Sequence, residues 1–303
     1  MQLADSGQTI PDMPPSTRHN VIIFGETGAG KSSVINMLQL SGSNKATVSS
    51  SASGCTLSST AYEGTIGDQP FTFWDTAGLN EGDLGKVPDM KAVVSLYHLL
   101  HKLKGGVSLL VFCMKAPRVT EAGRKNWDLF INLLCHRRVP VVLAITYLDQ
   151  EDMDSWWSDN EAHFLKNGIT PSKIVYRQYQ VTREDSEQVA TKADIGVACI
   201  TATKGKARKN GGYALEEEYE ESCWKIRKLV FESHLPEPWK AEPVKWFQEV
   251  VREVRSGHWL CPDVRHVTDY LPGQGVYKLM ERWGMKSEEE AMNIAKAIEK
   301  GVE

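Results

Sequence analysis

Apolar and polar positions along the chain fall into two alternating periods. Val21–Phe24, Val107–Met114 and Val139–Ile145 are apolar runs of strand length, interrupted only at Ser108 and Pro140, expected where a sheet is covered on both faces. Gly196–Ala202 reads as a final strand of the same kind. Thr60–Ile66 and Pro70–Trp74 read as two more, separated only by Gly67-Asp68-Gln69. That gap is too short for a parallel crossover, so the two strands predict an antiparallel hairpin. Helical spacing fills the intervals: Ser33–Leu38, Asp89–Lys104 stopped by Gly105-Gly106, the run Trp127, Phe130, Ile131 and Leu134 behind a capping Thr120, Met153–Lys166, and Ala214–His234. Strands alternating with helices predict an α/β fold, a three-layer doubly wound sheet that is mostly parallel with one antiparallel strand.

At Pro236-Glu237-Pro238 the alternation stops, because proline cannot continue a helix. Beyond it, Lys240–Arg255 and Ser287–Lys300 read as helices, and the stretch between them, with Trp259, Pro262, Pro272 and Gly273, reads as irregular. The expected division is a flexible polar tail over 1–19, an α/β domain over 20–235 and a helical C-terminal extension over 236–303.

Composition narrows the function. Of 303 residues, 41% are hydrophobic, enough for a real core, and the formal net charge of −4 offers no global field for nucleic acid or an anionic membrane. The tail lacks the apolar centre of a signal peptide, and no run approaches the length of a membrane span. The expected location is the cytoplasm. None of the six cysteines is spaced as C-x-x-C, which argues against a metal ribbon or redox pair and for small buried hydrophobes. Lys204, Lys206, Arg208 and Lys209 read as a solvated basic loop.

Candidate chemistry begins at Gly25-Glu26-Thr27-Gly28-Ala29-Gly30-Lys31-Ser32, which sits between a strand and a helix. G-x-x-x-x-G-K-[ST] is a phosphate cradle: glycines bring the backbone close, successive amides point inward, and the helix dipole adds positive charge. Glu26 to Ser33 are therefore the expected nucleotide-binding loop, with Lys31 on the β- and γ-phosphates and Ser32 on Mg²⁺. Asp75-Thr76-Ala77-Gly78 follows a strand at a suitable distance. Asp75 is expected to hold Mg²⁺ through water, and the Gly78 N–H to contact the γ-phosphate. The Ser/Gly/Thr-rich stretch Ser41–Thr60 is placed to be a switch loop, with Thr56 the first choice of metal ligand and Thr60 the second. Thr146-Tyr147-Leu148-Asp149 ends another strand. There Asp149 can accept from the ring N–H and amine of guanine together, and Tyr147 can stack on the base where the usual N/T-K-x-D pattern has lysine. Thr201-Ala202-Thr203, after the last strand, is placed to contact the guanine carbonyl.

These elements in this order resemble a small-GTPase-like G domain over 20–235. The runs at 25–33, Cys55-Thr56 and Asp75–Leu79 are similar to the septin–Toc–GIMAP group, which includes the immunity-associated (avirulence-induced type) GTPases. That group carries an R-F/Y-T-x-E box, and Arg118-Val119-Thr120-Glu121 stands at its place. Val119 and Tyr147 depart from the pattern. The resemblance implies GTP and GDP as ligands with Mg²⁺, slow hydrolysis, loops that switch between two states, a homodimer through the nucleotide face and an effector protein. Leu79 stands where Ras-like enzymes carry a water-orienting glutamine, which fits slow turnover. Two rivals stay open: an ATPase of the same fold, and a non-hydrolysing nucleotide-bound scaffold.

Overall fold

The computed structural model describes residues 18–39, 59–76, 90–172, 196–241, 245, 247–256, 263–283 and 285–300. One sheet is built from β1 (His19–Gly25), β2 (Thr60–Ile66), β3 (Gln69–Asp75), β4 (Leu109–Lys115), β5 (Val141–Thr146) and β6 (Val197–Cys199), in the order β2-β3-β1-β4-β5-β6. All neighbours are parallel except β2 and β3, which pair antiparallel from Thr60↔Asp75 to Ile66↔Gln69. The hairpin expected from its short connection is the one antiparallel pair of this sheet. β6 is shorter than the expected strand over 196–202.

Side-chain alternation along the strands feeds two separate cores. Val21, Ile23, Leu109, Val111, Val142 and Ala144 pack with Val34, Ile35 and Leu38 of α1 (Lys31–Gln39) and with Ile226 and Val230 of α5 (Glu216–Ser233). Their neighbours Ile22, Phe24, Leu110, Phe112, Leu143 and Ile145 point the other way. They meet Leu96 and Leu100 of α2 (Met90–Lys102), Trp127 of α3 (Glu121–Trp127), and Phe164 of α4 (Trp156–Lys166). Beyond α3 a π-helical segment, Asp128–Leu134, adds Phe130, whose ring stacks on Phe24 at 3.9 Å between centroids. Burying each such side chain stabilises the fold by roughly 1.5–3 kcal/mol.

The C-terminal region corrects two expectations, since the stretch around Pro262, Pro272 and Gly273, expected to be irregular, carries a strand and a helix. The helix expected over Lys240–Arg255 is instead largely a strand, β7 (Phe247–Ser256), paired antiparallel with β8 (Asp263–Pro272) from Phe247↔Pro272 to Ser256↔Asp263. Val250, Val251 and Val254 do recur at helical spacing. Being β-branched, however, they suit a pleated strand, and Val264 and Val267 supply a second run to pair with. Helix returns at α6 (Gln274–Trp283) and α7 (Glu288–Lys300). Val276, Leu279, Ala291, Ile294, Ala295 and Ile298 are buried in the same core as α2 and α3, so these helices pack on the sheet's domain. Reciprocal backbone hydrogen bonds between Val107 and Trp239, 2.7 and 2.9 Å, tie the start of the C-terminal region to the strand that becomes β4.

Candidate functional site

β1 ends at Gly25, where φ is +145° and an added Cβ would stand 2.2 Å from the carbonyl oxygen of Cys113 on β4. Only glycine lets the chain leave the sheet so close to its neighbour. The loop closes with the Ala29 N–H donating to the Glu26 carbonyl at 3.2 Å, and α1 starts with the Val34 N–H donating to the Gly30 carbonyl at 2.9 Å. At Gly28, where φ is +78°, an added Cβ would meet nothing within 4 Å, so the loop is open on that side. The first N–H groups of α1 lack acceptors within the helix, and its dipole places positive charge there.

Lys31 folds back into this loop. It is 8% exposed, and its ammonium donates to the carbonyls of Gly25 at 3.2 Å and Glu26 at 3.0 Å. Burial pulls its pKa below the usual lysine value, while Cys113, Asp75 and Glu26 pull the other way. Ser32 Oγ donates to Asp75 Oδ2 at 2.8 Å, joining the loop to the end of β3. Burial pushes the Asp75 carboxyl up, and the Ser32 hydrogen bond and the Lys31 charge oppose it. Thr76 fixes that strand end, its hydroxyl donating to the Ile23 carbonyl at 2.9 Å.

A hydroxyl and a carboxylate side by side are hard oxygen donors. They suit Mg²⁺, which takes one or two protein oxygens and completes its shell with phosphate and water. Among the described residues no group of three or more His, Cys, Asp or Glu gathers as a metal site. Thr56, Gly78 and Leu79 lie outside the described residues.

Thr146 closes β5 fully buried, its Oγ1 3.0 Å from the Ala29 carbonyl and 3.1 Å from that of Met114. Tyr147 follows in the left-handed region, φ +65°, and is 47% exposed. Leu148 is buried, and Asp149 is half-buried without a hydrogen bond or ion pair among the described residues. After β6, the Thr201 N–H donates to Ser222 Oγ at 2.9 Å, and Ser222 Oγ donates to the Glu218 carbonyl at 2.6 Å, which holds this loop against α5. Ala202 is half-buried and Thr203 exposed.

The structure therefore sets Glu26–Ser33, Asp75, Thr146–Asp149 and Thr201–Thr203 beyond the carboxyl ends of β1, β3, β5 and β6. In an open α/β sheet that edge is where ligands bind. Two neighbours were not among the expected site residues. Thr120 caps α3 as expected, accepting from the Gly123 N–H at 2.9 Å, but its hydroxyl also donates to the Glu26 carboxylate. Lys115, at the end of β4, places its ammonium over the Tyr147 ring. Neither contact follows from a motif, since each depends on which strands are neighbours. Arg118 is exposed and, with Glu26, Ala29, Lys115 and Thr120, lines a cleft of ≈ 190 Å³ beside the loop.

Residues 20–146 match the family model described as 50S ribosome-binding GTPase. Over those residues the chain is similar to a P-loop GTPase domain. Solved structures similar to this chain include Toc33 from Arabidopsis thaliana in complex with Mg²⁺ and GMPPNP, at 16% identity and a TM-score of 0.47, covering 72% of this chain and 85% of that one. Era from Aquifex aeolicus, as a variant bound to GDP·AlF4⁻, is similar at 14% identity and a TM-score of 0.46, covering 92% and 87%. The septin GTPase domain from Chlamydomonas reinhardtii is similar at 15% identity and a TM-score of 0.41, covering 71% and 91%. No curated protein matches the sequence. Among the described residues, no helix is long and apolar enough to cross a membrane.

Proposed function

We propose that this chain binds guanine nucleotide with Mg²⁺ and slowly hydrolyses GTP to GDP and phosphate, as a cytoplasmic nucleotide-dependent switch. The observation that carries the reading is the buried Lys31 ammonium, held by loop carbonyls beside the Ser32–Asp75 pair. A desolvated cation, an open amide loop and two hard oxygens form a polyphosphate site assembled in advance, which needs little reorganisation when charge arrives.

In this reading Lys31 and the amides of Glu26–Ser33 hold the phosphates, and Ser32 with Thr56, or Thr60 in its place, would hold Mg²⁺. Asp75 orients the metal's water, and the Gly78 N–H reports the γ-phosphate. Bound Mg²⁺ would neutralise charge on the β- and γ-oxygens. Asp149 accepts from the guanine edge, Tyr147 covers its face, and Thr201, Ala202 and Thr203 meet its carbonyl side. Leu79 cannot hydrogen-bond to water, so turnover by a lone chain is slow. A second copy across the nucleotide face, or an effector, is the expected source of acceleration.

Isothermal titration with GDP, GTP, ADP and ATP tests the reading. Guanine nucleotides should bind more tightly, and Asp149→Asn should sharply reduce that preference. Equal or tighter adenine binding rejects the Asp149 role and favours an ATPase. Single-turnover hydrolysis across protein concentration should accelerate as copies meet. No hydrolysis at any concentration leaves a nucleotide-bound scaffold.

A further inference from the structure

We propose that Lys115 is a positioning residue for base recognition: with Tyr147 it forms a cation-backed aromatic platform on which the flat face of the purine stacks. The inference rests on the guanine-nucleotide reading above and goes beyond it, since no motif of the loop includes Lys115.

Tyr147 is a large aromatic ring left half in solvent at the ligand-binding edge of the sheet. Its backbone stands at φ +65°, an uncommon region for a bulky side chain, which persists only where neighbours hold it. Those neighbours are Thr146, fully buried and anchored to Ala29 and Met114, and Leu148, 1% exposed. The left-handed turn thus fixes where the ring leaves β5.

Lys115 fixes the ring from the adjacent strand. It pairs in register with Thr146, one residue before the tyrosine, and its ammonium lies 4.2 Å from the ring centroid. That is well inside the range of a cation–π contact. Lys115 is exposed, and no carboxylate among the described residues competes for it in an ion pair. The usual base-recognition loop has a lysine where this chain has Tyr147. Here the cation comes from β4 instead, and the loop supplies the ring.

The chemistry of such a pair suits a purine. A cation on one face of a phenol draws electron density toward itself, and the opposite face then stacks better on an electron-rich base. Asp149, two residues further on, faces no partner among the described residues and is left to read the base's hydrogen-bonding edge. The platform would add affinity for any purine, and the carboxylate would choose between them.

The test is titration of GDP and of inorganic tripolyphosphate into the full chain and its variants. Tyr147→Ala should weaken GDP about tenfold, as loss of one base–aromatic stack does. Tyr147→Phe should stay near wild type. Lys115→Met, which keeps the stem and removes the charge, should weaken GDP roughly two- to fivefold, and Lys115→Arg should restore it. The double variant Tyr147→Ala/Lys115→Met should bind no more weakly than Tyr147→Ala alone, because the two residues act as one unit. Tripolyphosphate affinity should not change in any of them. Lys115→Met binding GDP like wild type overturns the proposal. So does an equal loss for GDP and tripolyphosphate, which would place Lys115 on the phosphates. A wild-type chain that binds tripolyphosphate but not GDP overturns the guanine reading together with the platform.

Discussion

The hydroxyl of Thr146 lies 3.0 Å from the carbonyl of Ala29, 117 residues earlier in the chain. The first residue of the expected base-reading loop thereby braces the expected phosphate loop. Gly30 adds to the same junction, since a Cβ there would stand 3.2 Å from Thr146 Cγ2. The two halves of the candidate site are one mechanical unit.

Replacing that hydroxyl tests the brace. Thr146→Val keeps the shape and leaves buried carbonyls with one fewer donor, which should cost about 1–3 kcal/mol. Urea denaturation should report that loss, and GDP titration should show weaker binding even though the substituted side chain would touch no phosphate. Unchanged affinity would mean that the junction does not set the loop's geometry.

Lys31 should separate stability from binding. Burial disfavours its charged form in the folded state, while Lys31→Met also strips the Gly25 and Glu26 carbonyls of a donor. The two effects oppose, so the stability of the nucleotide-free chain should change by no more than about 1–3 kcal/mol. Affinity for triphosphates should nevertheless fall by roughly 10- to 150-fold, the worth of one or two charge-assisted hydrogen bonds. Thermal melts without nucleotide and titration with GTP read the two effects independently.

A histidine pair should make stability sensitive to mild acid. The rings of His19 and His234 stand 4.4 Å apart, with Phe71 packed against both and the His19 Nδ1 3.1 Å from Ser108 Oγ. Both pKa values lie below the ordinary 6.5: His19 through burial and then the His234 charge, against a smaller pull from Gln69, and His234 through burial. The unfolded chain therefore takes up protons first. This contribution is complete above pH 6.5 and is lost as pH falls below it, down to the folded-state values. Melting temperatures from pH 7.5 to 5 should fall more steeply in wild type than in His234→Phe, and parallel slopes would contradict the assignment.

Two glycines of one loop should respond oppositely. Gly25→Ala forces a Cβ to 2.2 Å from a backbone oxygen of β4, so it should cost several kcal/mol or prevent folding. Gly28→Ala meets open space, and only its φ of +78° opposes it, a penalty of about 1–2 kcal/mol. Expression and thermal melts should show a folded Gly28→Ala chain with reduced nucleotide affinity, because the added methyl enters the expected cradle.

Most of the α/β order was readable because burial leaves a local period. Val107–Met114 had to be a doubly covered strand, and the three residues at 67–69 allowed only a hairpin. The loop at Gly25–Ser32 was equally plain, since backbone approach to an anion restricts residue type position by position. The segment Phe247–Ser256 is ambiguous in sequence for the converse reason. Its valines satisfy both periods, and what selects strand is the partner run at Asp263–Pro272, which no window around residue 250 contains.

The amino-acid order alone determined which stretches are strand or helix in the sheet's domain, and where the phosphate cradle begins, because both are written in spacing between near neighbours. Only the tertiary structure decided that Lys115 meets Tyr147, that Thr120 meets Glu26, and that α6 and α7 complete the core over α2. Those contacts arise from the strand order β1-β4-β5 and from docking of distant helices. They are consequences of which surfaces find each other, and local pattern carries no record of that choice.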